Sequence, residues 1–79
     1  MLDKKLFGER VRLLRSGQSA TQDELARLLG VTRTQISDIE NGKSTTSLER
    51  LVLLADYFGV STDHLLGLTN DPIRHYLDD

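Results

Sequence analysis

Arg33, Thr34, Ser37 and Asp38 fall close together near the end of the stretch QDELARLLGVTRTQISDIEN, residues 22–41. If this part is helical, Ile36 and Ile39 take its inner face. Arg33 and Thr34 then lie exposed at its start, with Ser37 and Asp38 one turn further on. The chemistry open to such a group is directional hydrogen bonding. Arg33 can donate two parallel bonds to guanine O6 and N7, and Thr34 offers a hydroxyl and a methyl that can touch a thymine methyl. Asp38 can accept from cytosine N4, or it can act as a brace that holds Arg33 in place.

A second set of polar residues flanks the first. Gln22 stands at the start of the preceding helix, where free N–H groups and the helix dipole favour an anion. Thr32, Gln35, Asn41, Lys43 and Ser44 are polar and placed to grip a phosphate backbone. Contacts of that kind fix register and carry little sequence information directly. Plain capping or solvation is the competing reading, strongest for Ser44 and fair for Asn41.

Two helices must hold these residues. Thr21 precedes Gln22-Asp23-Glu24, a capping box with Glu24 at the third helical position. Leu25, Ala26 and Leu29 give that helix its buried face, and Gly30 ends it. Thr32 is the N-cap of the next helix, which Asn41-Gly42 closes. Counted from Gln22, Ala26 is fifth, Gly30 ninth and Ile36 fifteenth. Closely crossed helices need a small fifth residue. The short turn needs positive φ at the ninth, and an apolar fifteenth wedges one helix on the other. This spacing, with caps at both helix starts, points to a helix-turn-helix, whose second helix can lie in a DNA major groove; an ordinary helical hairpin of a small bundle is the competing reading.

The rest of the chain also follows the helical period, and no window alternates as a half-buried strand would. Phe7, Val11 and Leu14 mark a first helix over about residues 3–16, with Gly17 as its stop. Ser47 opens a fourth helix whose buried stripe is read as Leu48, Leu51, Val52, Ala55 and Phe58, ending at Gly59. Ser61-Thr62-Asp63 starts a short fifth, with Leu65 and Leu66, closed by Gly67. Asp71-Pro72 reads as one more helix start, which would place Ile73, Tyr76 and Leu77 together, either over the core or on a dimer surface. The organisation expected is one domain over residues 1–70 with an extension over 71–79.

Composition narrows the function classes. With 79 residues there is room for one small domain. No cysteine is present, which excludes disulfides and thiolate metal sites. His64 and His75 are isolated, so no metal or other cofactor is expected. No Gly-rich phosphate loop or nucleophile–base pair appears, and no enzyme activity is expected. With two Phe, two Tyr and no Trp, a stacking platform for single strands has little support. No apolar run has membrane-span length and the N-terminus lacks a signal-peptide core, so a cytoplasmic protein is expected. The net charge is −2, which taken alone argues against a nucleic-acid partner. Yet residues 1–50 carry +2, and residues 51–79 carry −4. The basic surplus falls in the part of the chain that contains the helix-turn-helix.

The blocks FGERVRLLR, TQDELARLLGVTRTQISDIENGK, SLERLVLLADYFGV and STDHLLG resemble, in order and spacing, the Xre/Cro-type helix-turn-helix domain of phage and bacterial repressors. The resemblance runs from about residue 6 to residue 67. It implies an all-α, five-helix, lambda-repressor-like bundle, with the possible short C-terminal helix as an addition. It implies binding to a double-stranded DNA operator, usually as a two-fold homodimer. Arg33, Thr34 and Asp38 match the family's base-reading positions, and Arg15 and Glu40 match residues that form an internal ion pair. Two places depart from the pattern. Ser19-Ala20 replaces the usual Gly and larger apolar residue before the second helix, and Thr45-Thr46 lacks the proline common before the fourth.

The expected function is therefore a sequence-specific transcriptional regulator. A repressor that occupies an inverted-repeat operator as a dimer fits first. A controller or antitoxin-type regulator acting with a protein partner is the alternative. No membrane partner and no small-molecule ligand is expected.

Overall fold

The computed structural model describes residues 1–74. Five helices follow one another: α1 Lys4–Gly17, α2 Gln22–Leu29, α3 Arg33–Glu40, α4 Leu48–Phe58 and α5 Thr62–Leu65. The architecture over these residues is all-α. Each helix starts at a side-chain cap. Asp3 accepts from the Leu6 amide, Ser47 from Arg50 and Ser61 from His64. Thr21 and Glu24 form the expected capping box, and Thr32 and Gln35 form a second one at α3. Such caps satisfy amides that have no partner within the helix.

The core is one aliphatic cluster with two phenylalanines. Phe7 and Val11 of α1 meet Leu25, Ala26 and Leu29 of α2, Ile36 and Ile39 of α3, and Leu51, Leu54, Ala55 and Phe58 of α4. Val60 and Leu65 close its end. Gly8 lets α1 approach α3, because a Cβ there would meet the Ile39 carbonyl oxygen. A glycine inside a helix costs about 1 kcal/mol relative to alanine, and here the close crossing requires it.

Three sequence expectations change. Helix α1 runs through Gly17, and the chain turns at Gln18-Ser19 instead, with Ser19 at φ 57°. In α4, Leu48 is 81% exposed and Val52 is exposed, whereas Leu54 is fully buried. The inward stripe is Leu51, Leu54, Ala55 and Phe58, the i, i+3, i+4, i+7 row that one helix face can bury. Leu48 precedes that row by one turn, and Val52 is rotated off it. The helix expected at Asp71-Pro72 does not form over residues 71–74. Asp71 does accept from the Ile73 amide as a cap would, but the Pro72 carbonyl accepts from the Ser61 amide. That tertiary bond holds the segment beside the start of α5. His75, Tyr76 and Leu77 lie outside the described residues.

No helix among the described residues is long and apolar enough to cross a membrane.

Candidate nucleic-acid interface

The α2–α3 turn contains Gly30 at φ 68°, ψ 34°, the left-handed conformation that glycine adopts without strain. The Val31 amide reaches back to the Ala26 carbonyl at 3.0 Å, which closes α2 and starts the chain toward α3. Ile36 and Ile39 are buried, so the opposite face of α3 is presented outward. Arg33 and Thr34 are exposed on it, and Ser37 and Asp38 are half-buried. The four residues read from the sequence thus share one face.

A run of hydrogen bonds leads from the interior to Arg33. Arg15 and Glu40 form a two-pronged pair, Nε to Oε2 at 2.5 Å and Nη2 to Oε1 at 3.0 Å. Their side chains are 15% and 3% exposed. A third Arg15 bond goes to the Ala20 carbonyl at 2.9 Å. The hydrogen bond that Arg15 donates to Glu40 raises the Arg15 pKa, against the opposing effect of burial, so the guanidinium stays charged. Gln22 donates from Nε2 to Glu40 at 3.0 Å, and its Oε1 accepts from Arg33 Nε at 3.4 Å. The ion pair implied by the family resemblance is present, and through Gln22 it orients the arginine at the head of α3. Among the described residues, only Nε of Arg33 is engaged, and the side chain is exposed beside the start of α2.

The expected brace between Arg33 and Asp38 is not formed. Gln22 holds Arg33 instead, because α2 delivers its side chain to the start of α3. Asp38 lines a cleft between α3 and α4 with Gln35, Ser44–Ser47 and Arg50. Ser37 accepts a hydrogen bond from Asn41 Nδ2 at 3.3 Å.

The flanking set divides. Gln22 is half-buried and committed to Glu40 and Arg33. Thr32 and Gln35 spend their oxygens on the α3 capping box, though Gln35 keeps its amide nitrogen. Asn41 and Lys43 are exposed, and Ser44 is half-buried. The first amides of both helices, Gln22-Asp23 and Arg33-Thr34, lack intrahelical acceptors, as at any helix start.

Sequence reading missed two arginines. Arg50 of α4 donates from Nε to the Leu29 carbonyl at 3.0 Å. Arg10 fastens the segment after α5 by bonds to the carbonyls of His64 and Thr69 and to Asn70 Oδ1. Their partners lie 21 and 54–60 residues away, beyond any local pattern.

A helix-turn-helix family model matches residues 12–65. The chain is 34% identical over 67 residues to the HTH-type transcriptional regulator YobD of Bacillus subtilis, an overlap of 85% of this chain and 60% of that protein. It is 38% identical over 65 residues to the control protein C.BamHI of Bacillus amyloliquefaciens, covering 81% and 80% of the two chains. Its structure matches the P22 c2 repressor, solved in complex with a synthetic operator, with a TM-score of 0.72 and 33% identity over 77% of this chain and 92% of that one. The chain belongs to the Xre/Cro-type helix-turn-helix family. The relatives named here are regulators and not enzymes. The chain spans about 60% of the length of the Bacillus subtilis regulator it matches.

Proposed function

We propose that this chain is a repressor that occupies an inverted-repeat operator as a homodimer. The observation that carries the reading is the outward face of α3, headed by an arginine that a buried ion pair aims through Gln22. Arg33, Thr34, Ser37 and Asp38 read base edges. Gln22, Thr32, Gln35, Asn41, Lys43 and Ser44 set the register on the phosphates, with Thr32 acting through the helix start it caps. Residues 1–70 form the binding domain and 71–79 its extension.

The dimer surface of this proposal lies at α5 and the adjoining segment. Leu2, Leu48 and Leu66 line an apolar groove there, and Leu68 continues it. A two-fold pair would set its recognition helices about 34 Å apart, one turn of duplex. Repression is then steric: the occupied operator excludes polymerase or another regulator. The near-neutral charge gives modest nonspecific affinity, so binding leans on base contacts and on pairing.

Selection of bound duplexes from a random pool tests this reading. An enriched inverted repeat is expected. Enrichment of a single unrepeated site would refute the dimer, and no enrichment would refute sequence reading. Similarity to the control protein C.BamHI favours a second reading, a controller or antitoxin-type regulator, for which a protein partner is proposed. A partner that co-purifies stoichiometrically from the native host would select that one.

A further inference from the structure

We infer that Arg50 is a positioning residue for DNA reading, which holds the α2–α3 turn and so sets the aim of α3. The inference rests on the DNA-reading proposed above.

Leu29 is the last residue of α2, where carbonyls run out of partners within the helix. The amides of Gly30 and Val31 turn back to the carbonyls of Ala26 and Arg27. Leu29 therefore needs an acceptor's partner from elsewhere, and Arg50 Nε supplies it at 3.0 Å in a part-buried setting. Arg50 is itself well anchored. Its own amide bonds the Ser47 cap at 3.2 Å, and Leu51 and Leu54 beside it are in the core. The bond thus ties the turn to α4, the longest helix after α1.

The turn is a good place for such a tie. Only Gly30, Val31 and Thr32 separate α2 from α3, and Val31, which packs against the core, is only partly buried. A small rotation there displaces the outward face of α3. Recognition groups tolerate displacements of about 0.5 Å before their bonds weaken. The guanidinium also borders the cleft that contains Gln35 and Asp38, so loosening it disturbs the far side of the same helix. A direct phosphate contact by Arg50 is the rival role, and it differs in salt dependence.

Arg50→Lys and Arg50→Met separate these roles. Lysine keeps the charge and loses the Nε–H, while methionine loses both and keeps an apolar stem. Binding is measured on the duplex enriched by wild-type protein and on a scrambled duplex, at a temperature where circular dichroism shows each variant folded. Both variants should lose about tenfold on the enriched duplex and less than twofold on the scrambled one. The salt slope of Arg50→Lys should match wild type. Equal losses on both duplexes with a shallower slope would make Arg50 a phosphate contact and overturn the inference. Unchanged affinity in both variants would also overturn it.

Hydrogen exchange of the free protein keeps the test independent of DNA. The amides of Val31 and Ile36 should exchange several-fold faster in Arg50→Met, relative to Val11 in α1. Unchanged protection there refutes the tie. Failure of wild-type protein to enrich any duplex refutes the DNA reading instead, and the exchange data still judge Arg50.

Discussion

The α2–α3 unit and the stretch from α4 to residue 74 are built from similar residues but are specified in different ways. In the first, every important bond is short-range or lies within the unit, apart from the Arg15 partner of Glu40 and the Arg50 tie. Each helix start has a capping box of side chains three residues apart, and Ala26, Gly30 and Ile36 each sit where one steric demand falls. In the second, apolar residues outnumber the places the core can hold. Leu51, Leu54, Ala55, Phe58, Val60 and Leu65 fill those places, and Leu48, Val52, Leu53, Leu68 and Ile73 stay exposed. Long-range polar ties then fix the path: Arg10 to residues 64–70, Ser61 to Pro72 and Arg74 to Asp56. The difference teaches that a recognition unit needs a rigid local frame. A surface intended for another molecule can carry apolar residues that its own core leaves unused.

The largest expected effect breaks the frame of the first region. Glu40→Ala leaves the Arg15 guanidinium without its carboxylate and Gln22 without its anchor, and should cost about 3–5 kcal/mol in urea unfolding. A loss below 1 kcal/mol would mean that the pair contributes little and that packing alone holds α1 to α3.

Arg33→Ala acts on function without touching the frame. It should weaken the enriched duplex by about 1–3 kcal/mol and relax preference at one base pair. By contrast Lys43→Ala should weaken all duplexes alike and reduce the salt slope by about one. An unchanged base preference in Arg33→Ala would remove this residue from the reading set.

Ser19→Gly sharpens the comparison at the entry to α2. Ser19 holds a left-handed conformation that strains a residue with a Cβ. Glycine should stabilise the domain by about 1 kcal/mol, after its extra freedom in the unfolded chain is offset. A lower thermal midpoint in Ser19→Gly would contradict that.

The smallest effect on stability belongs to the second region. Leu48→Ser should change unfolding free energy by less than about 0.5 kcal/mol, because the side chain already faces solvent. The same change should weaken dimerisation in sedimentation equilibrium if the groove beside α5 is the pairing surface. A dimer of unchanged affinity would move that surface elsewhere.

Much of the fold was legible because its signals are local. The caps at Thr21, Thr32, Ser47 and Ser61 and the stops at Gly30 and Gly59 depend on residues within one turn, and all stand in the structure. The shared outward face of Arg33, Thr34, Ser37 and Asp38 followed from helical period and the burial of Ile36 and Ile39. What holds Arg33 was not legible. Gln22 is 11 residues away, and the sequence contains nothing to prefer it over Asp38 as a partner.

By itself, then, the sequence determined the helices, the turn between α2 and α3, and which residues α3 turns outward. These follow from propensity, capping and periodicity, which act over three or four residues. Tertiary structure alone decided which leucines of α4 enter the core, that Gln22 and not Asp38 steadies Arg33, and that residues 71–74 form no helix and are tied to the start of α5. Those outcomes depend on volume and hydrogen-bond partners brought together from distant parts of the chain. A core holds a limited volume, and a buried carbonyl or guanidinium takes the partner that packing brings within reach.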